Sequence, residues 1–493
     1  MAKPKLGVAA GSRLGCEAAV EVARAGGNAV DACLAAAVAA WVTEPFFASV
    51  AGSGFVAVRS SDDTIEVFDG NNAVPLHASE ATDGVRRVFL DYSNGMYTGI
   101  GGGSVATPGV LAAVRLAWER YGSIEWEALL APAIKAARDG LPFPPTSAYY
   151  LSVTWQPIWS SYAGARGVLG PDEPVSENER FVQAELADTL ESIAVRGPSV
   201  LYGGELGAAI VEACAADGGA LTMEDLERYS AEVRAPVTTE AFGWHIASNP
   251  PPAMGGARLA HMLALLHQAR RDSPVERLRA IVEAERASLA PYDRSDADVA
   301  DVAAEEQGRA RARGSASGST THASAADADG LVCSVTESNG YGAGLLVGGV
   351  MLNNTMGEEE LMPEGPEGVP PGARCHSNMA PTVARGNGMT LGLGSPGADR
   401  IVGAIAQTIM AIATEGVSLR DAVAAPRAHL AARDGERLLC YEPGLPGDVV
   451  GYTPRPYSEP HMFFGAVQAA SVTDEGRVEA AHDPRRSGAS ALV

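Results

Sequence analysis

The sequence predicts a mixed α/β protein in which helical and strand segments interleave along the chain. Three observations lead there. The chain has 493 residues, 46% of them hydrophobic. That suffices for roughly two or three ordinary domains or one large multilayer domain, and excludes wholesale disorder. Helical patterns at 12–42, 110–121 and 399–414 alternate with short apolar runs bounded by Gly, Pro, Asn and Asp, which read as strands. No tandem repeat of the solenoid type is present.

The elements follow in order. Within 12–42, Gly26-Gly27-Asn28 breaks the helical pattern and Asp31 stands before an Ala-rich run, predicting a helix stop, a turn and a second helix. Glu44-Pro45 ends that helix, because proline disfavours helix at the residue before it. A turn into a strand is expected at 52–58, with a hairpin partner at 65–68 and a polar elbow, Asp69-Gly70-Asn71-Asn72, after it. A glycine-rich loop at 99–109 precedes the helix 110–121, and helical segments dominate to Cys214. Thr222 and Asp225 have capping-box spacing. Strands near Val237 and His245 lead to Pro250-Pro251-Pro252 and another helix. From Asp293 to Ser319 the chain is rich in Asp, Ala, Arg, Gly and Ser, and its later part reads as an exposed linker. Two strands, a long loop at 357–376 and a strand at 389–393 come next. Gly394-Ser395-Pro396-Gly397 then turns into the last long helix.

Bulk properties exclude some partners. A formal charge of −23 argues against a nucleic-acid backbone or an anionic membrane surface. The six cysteines are scattered, with no CxxC and no zinc spacing, so reduced buried thiols and no metal or cofactor are expected. The N-terminal segment lacks the apolar core of a signal peptide, and the apolar run 32–42 is short of the ~20 residues a membrane span needs. A cytoplasmic protein acting on a small molecule is therefore expected.

The chemistry concentrates at Ser319-Thr320-Thr321-His322, where the linker meets the apolar run Leu331-Val332-Cys333-Ser334-Val335. If the chain were cut before Thr320, that residue would carry a hydroxyl and a free α-amine, a nucleophile with its own base. Read by itself, the stretch simply begins a strand. Gly392-Leu393-Gly394-Ser395-Pro396-Gly397 satisfies G-x-G-x-x-G but lacks the context of a dinucleotide site. Its use is as a strand-to-helix turn whose N–H groups at Gly397 and Ala398 suit an oxyanion hole. No G-x-S-x-G elbow occurs. Glu358-Glu359-Glu360 reads as a solvated loop, and His322, His376 and His429 as packing or hydrogen-bonding residues.

In order, these stretches resemble the γ-glutamyltransferase (γ-glutamyltranspeptidase) family of N-terminal-nucleophile hydrolases. The resemblance rests on Gly26-Gly27-Asn28-Ala29-Val30-Asp31, Glu44-Pro45, Val50-Ala51-Gly52-Ser53-Gly54-Phe55, Thr107-Pro108-Gly109, the run 221–229, Pro250-Pro251-Pro252 through Gly255-Gly256, Thr320-Thr321-His322, Leu352-Asn353-Asn354, Met379-Ala380-Pro381-Thr382, Gly394-Ser395-Pro396-Gly397 and Asp483-Pro484-Arg485. It implies a four-layer αββα sandwich, self-cleaved between Ser319 and Thr320 into a large part, 1–319, and a small part, 320–493, intertwined as one domain. It also implies Thr320 as nucleophile, Ser338 as the hydroxyl orienting it, and the Gly397 and Ala398 amides as the oxyanion hole.

The departures fall in substrate recognition. Asn71 stands where the family has an arginine for the substrate α-carboxylate. Ser377-Asn378 replaces a serine pair, Thr355 precedes Met356, Glu358 aligns with the aspartate that holds the α-amine, and Asn339 keeps its place. A self-processing threonine hydrolase or acyltransferase, cleaving an amide-type bond of a non-standard substrate through an acyl-enzyme, is expected. One subgroup, from the biosynthesis of 4-alkylproline antibiotics of the lincomycin and pyrrolobenzodiazepine types, offers C–C bond cleavage as an alternative. An uncleaved, non-catalytic binding protein is the alternative of another class.

Overall fold

Two antiparallel sheets stack face to face and helices cover both outer faces, giving four layers in the order α, β, β, α. The computed structural model describes residues 4–80, 84–91, 95–288, 320–433, 436–447, 449 and 451–493. The expected linker before Thr320, and Ser319 itself, lie outside the described residues.

The first sheet runs in the order Ala489–Leu492, Leu6–Ala10, Thr320–Asp327, Val332–Ser338, Ser53–Arg59, Ile65–Gly70, Glu232–Arg234. The second runs Val478–His482, Gln468–Thr473, Met389–Gly394, Thr382–Gly386, Trp244–Ser248, Val237–Ala241. Both sheets draw strands from either side of residue 320, so the two parts of the chain share one core. Ala29–Thr43 and Val110–Tyr121 cover the first sheet; Met254–Gln268 and Arg400–Glu415 cover the second.

Ala29–Thr43 is buried on all sides. Its alanines let it lie between the first sheet and the helices Arg13–Arg24 and Trp126–Asp139. A capping box starts it: the Asp31 amide donates to Asn28 Oδ1 and the Asn28 amide to Asp31 Oδ2, each at 3.0 Å. Asp31 thus sits inside the first turn rather than before it, satisfying amides that the helix leaves unpaired. The Thr222–Asp225 box also forms. Among the elements that were not expected is the hairpin Arg86–Leu90 with Met96–Ile100. Its exposed Phe89 and Tyr97 and its charged residues carry no clean alternation, so its strand period is faint.

Along Thr320–Asp327 the side chains alternate. Ala323 and Ala325 pack into the helix-facing core. His322, Ser324 and Ala326 face the second sheet, and Ala326 clusters with Val332 of its own sheet and with Ala470 and Val472 of the second. The His322 ring fits between the sheets because residue 394 is glycine: a Cβ there would lie 2.4 Å from His322 Cε1. Its nitrogens meet Thr336 Oγ1 and Ser324 Oγ, each at 2.8 Å, and burial lowers its pKa to about 3, so the ring is neutral at pH 7. By the same alternation Thr320 opens toward the second sheet, at the mouth of the sandwich.

Candidate active site

Antiparallel register sets Thr320 opposite Ser338. The Thr320 hydroxyl donates to Ser338 Oγ at 3.4 Å, and Ser338 Oγ also accepts from the Gly340 amide at 3.2 Å. Thr320 is 4% exposed and opens on a cavity that Ser53, Ser338 and Ile401 also line. Behind it, Arg486 Nη1 donates to the Thr320 carbonyl at 2.8 Å, with its guanidinium over the Phe47 ring. Arg486 is delivered by Asp483-Pro484-Arg485: Arg485 bonds Asp483 Oδ1 at 3.0 Å and Glu442 Oε1 at 2.7 Å, and Asp483 also pairs with Arg427. Thr321, on the opposite face, donates to buried Glu44 at 2.8 Å. Burial raises the Glu44 carboxyl above its usual range, against the pull of Arg486 and the Thr321 bond.

The strand-to-helix turn supplies the next wall. Ser395 Oγ accepts from the Ala466 amide at 3.0 Å and donates to the Pro396 carbonyl at 2.7 Å, pinning the turn. Gly397 and Ala398 both have positive φ, +129° and +51°. This conformation is costly for alanine, and strain of this kind collects at functional sites. Ala398 lines the cavity, just ahead of the helix Arg400–Glu415.

Asn71, Thr355, Glu358, Ser377 and Asn378 all line the same cavity. The Asn71 amide is spent internally: Oδ1 accepts from Ser53 Oγ at 2.7 Å and Nδ2 donates to the Cys375 carbonyl at 2.6 Å. Thr355 Oγ1 accepts from Asn72 Nδ2 at 2.8 Å, and Ser377 Oγ from the Met379 amide at 3.2 Å. Asn378 Oδ1 accepts from Arg258 at 2.6 Å. Asn339 is fully buried, is not on the cavity wall, and has no partner for either amide atom among the described residues.

The carboxylate run corrects the sequence reading. Glu359 is exposed and pairs with Arg87 of the hairpin, but Glu358 and Glu360 turn inward and line the cavity. Burial holds both carboxyls above the usual range; the Glu360 charge adds to it for Glu358, and Asp399 adds to it for Glu360 against the pull of Tyr341 and Arg400. The sequence reading also missed Glu360, His376 and Met379 as cavity residues, Arg486 as the support of Thr320 and Arg258 as that of Asn378. The signal for Arg486 was its place directly after Asp483-Pro484-Arg485. His429 is an ion-pair residue: burial opposes its charge, but Glu285, at 2.5 Å, and Asp399 outweigh that and raise its pKa to about 9.

A family model described as gamma-glutamyltranspeptidase matches residues 15–493. The chain belongs to the γ-glutamyltranspeptidase family. Among its relatives, the glutathione hydrolase proenzyme of Escherichia coli (strain K12) is 28% identical over 94% of this chain and 88% of its own length. The acylase ACY 1 proenzyme of Pseudomonas sp. (strain V22) is 30% identical over 84% of this chain and 80% of its own. In fold, cephalosporin acylase from Bacillus halodurans superposes with a TM-score of 0.84 at 24% identity, over 99% of this chain and 96% of that one. LmbA2991HD superposes at 0.82 and 19% identity, over 100% and 99%. This γ-glutamyltranspeptidase-family chain is therefore an N-terminal-nucleophile hydrolase built as an α/β sandwich.

Proposed function

We propose that the chain is a self-processing threonine hydrolase or acyltransferase that cleaves an amide-type bond through an acyl-enzyme on Thr320, with an acyl donor other than a standard γ-glutamyl peptide. The Thr320–Ser338 hydroxyl pair at the cavity mouth, 3.4 Å apart with Ala398 across the cavity, carries this reading. Cleavage before Thr320 frees its α-amine, whose ordinary pKa of roughly 7.7–8.0 leaves part of it neutral near pH 7. The amine takes the Oγ proton as Oγ attacks the substrate carbonyl, while Ser338 holds Oγ and the Gly397 and Ala398 amides meet the developing oxyanion. Expulsion of the amine leaves a threonyl ester, which water or a second amine then resolves.

The donor is inferred to be non-standard because no Lys or Arg lies among the described residues of the cavity wall, and the Asn71 amide is spent on Ser53 and Cys375. A free α-carboxylate has no cationic partner there. The same wall, without a cation for a carboxylate, favours a second reading, attack on a ketone-type carbonyl with loss of a stabilised carbon leaving group.

The test is an intact mass of the purified protein under denaturing conditions. Two fragments, the smaller beginning at Thr320, are expected, with Thr320→Ala remaining one inactive chain. A wild-type protein that stays whole on incubation, or full turnover by Thr320→Ala, overturns the proposal.

A further inference from the structure

We infer that Glu360, held by Tyr341, is a second cation-recognising carboxylate beside Glu358, and that the pair fits the cavity to an acyl donor whose charged group is an ammonium with no neighbouring carboxylate; this rests on Thr320 as nucleophile. Glu358 is 9% exposed, lines the cavity, and its carboxylate has no hydrogen-bond partner among the described residues. A buried acceptor left in this state is a vacancy for a donor. Gly340 brings the main chain close to it: a Cβ at 340 would lie 3.0 Å from Glu358 Oε1 and 2.3 Å from Asn354 Oδ1. Glu360 also lines the cavity, and one of its oxygens accepts from the Tyr341 hydroxyl at 2.6 Å. Tyr341 is itself fixed, its amide donating to Asn354 Oδ1 at 2.6 Å. Glu360 is therefore oriented by Tyr341, which Asn354 holds in turn.

Arg400 pulls the Glu360 carboxyl down from a distance but is bonded to Asp399 and the Phe463 carbonyl, and the other surrounding cations are committed elsewhere. Arg258 serves Asn378, Arg87 serves Glu359, and Arg374 stacks on Tyr229 and bonds the Ser230 carbonyl. Burial disfavours charge on both carboxyls and the Glu360 charge adds to the cost at Glu358, a cost that a cation placed beside them relieves. An ammonium satisfies both at once. A zwitterionic head group brings its own carboxylate against them with nothing to neutralise it.

Calorimetry on the wild-type protein tests this with three non-reacting probes: L-norvaline, which carries amine and carboxylate; n-butylamine, which lacks the carboxylate; and pentanoate, which lacks the amine. Butylamine is expected to bind at least about tenfold more tightly than norvaline, and pentanoate not at all. Glu360→Gln is expected to weaken butylamine by about tenfold, and Glu359→Gln, an exposed change of equal charge, to leave it unaltered. Should Glu360→Gln fail to fold, Tyr341→Phe is expected to weaken butylamine by about threefold. Norvaline binding as tightly as butylamine, no saturable heat with butylamine, unchanged butylamine binding in Glu360→Gln (or in Tyr341→Phe where that variant stands in), or equal weakening by Glu359→Gln overturns the inference. Intact mass on the same sample separates the two readings, since an uncut chain that still prefers butylamine keeps the cation site and removes Thr320 as nucleophile.

Discussion

Arg486 and Thr320 are joined by a 2.8 Å hydrogen bond from Nη1 to the main-chain carbonyl, across 166 positions of sequence. The bond holds the backbone of the residue that carries the reacting hydroxyl, and the Phe47 ring under the guanidinium fixes its plane. Arg486→Ala is expected to lower kcat about 10²-fold, the scale of a small misplacement of a reacting group, with KM moved far less. Arg486→Lys keeps the charge but loses the planar fork and should recover only part of the rate. Steady-state kinetics on processed protein check the split, and a KM effect as large as the kcat effect would assign Arg486 to substrate binding instead.

Ser338 is the register partner of Thr320 and shares its oxygen with the Gly340 amide. Ser338→Ala removes the group that aims Oγ. Both chain cleavage and turnover should slow, by about 10²-fold, while Ser338→Thr retains most of each. A time course of intact mass reads the first and single-turnover acylation the second.

What was legible beforehand follows from how local each signal is. Thr320 stood out because a polar run meets an apolar strand there, and the Thr222–Asp225 box because its spacing is itself the interaction. The inward turn of Glu358 and Glu360 was hidden, since a run of three glutamates reads as solvated unless distant partners are known. Those partners are Tyr341, on the turn after the Ser338 strand, and the hairpin arginine Arg87, which takes Glu359 outward. The hydrogen bonds that spend the Asn71 amide were equally non-local, since Cys375 lies 304 positions away.

His429 makes stability depend on alkaline pH. Its pKa is raised from 6.5 to about 9, with the folded state favouring the charged ring because Glu285 and Asp399 outweigh burial. The contribution is fully present below pH 6.5 and is lost as pH rises through about 9, a difference of about 3 kcal/mol at its largest. The wild-type unfolding midpoint should therefore fall between about pH 6 and about pH 9.5, and His429→Gln should flatten that fall while lowering the midpoint most at the acid end. An equal slope in both proteins would remove His429 as its source.

The contact between Gly394 and His322 ties the sandwich to the site. A methyl at 394 would sit 2.4 to 2.9 Å from three atoms of the imidazole, a ring already held by Thr336 and Ser324. Gly394→Ala should therefore cost about 1–3 kcal/mol through overpacking. It should also depress turnover, because residue 394 begins the turn that carries Gly397 and Ala398. His322→Ala is destabilising too, since it leaves a gap and two buried hydroxyls short of a partner. The double variant is expected to be more stable than the sum of the two losses, because the new methyl enters space the ring has vacated. Unfolding midpoints of the four proteins close the cycle, and strict additivity would show that the ring does not set the glycine requirement.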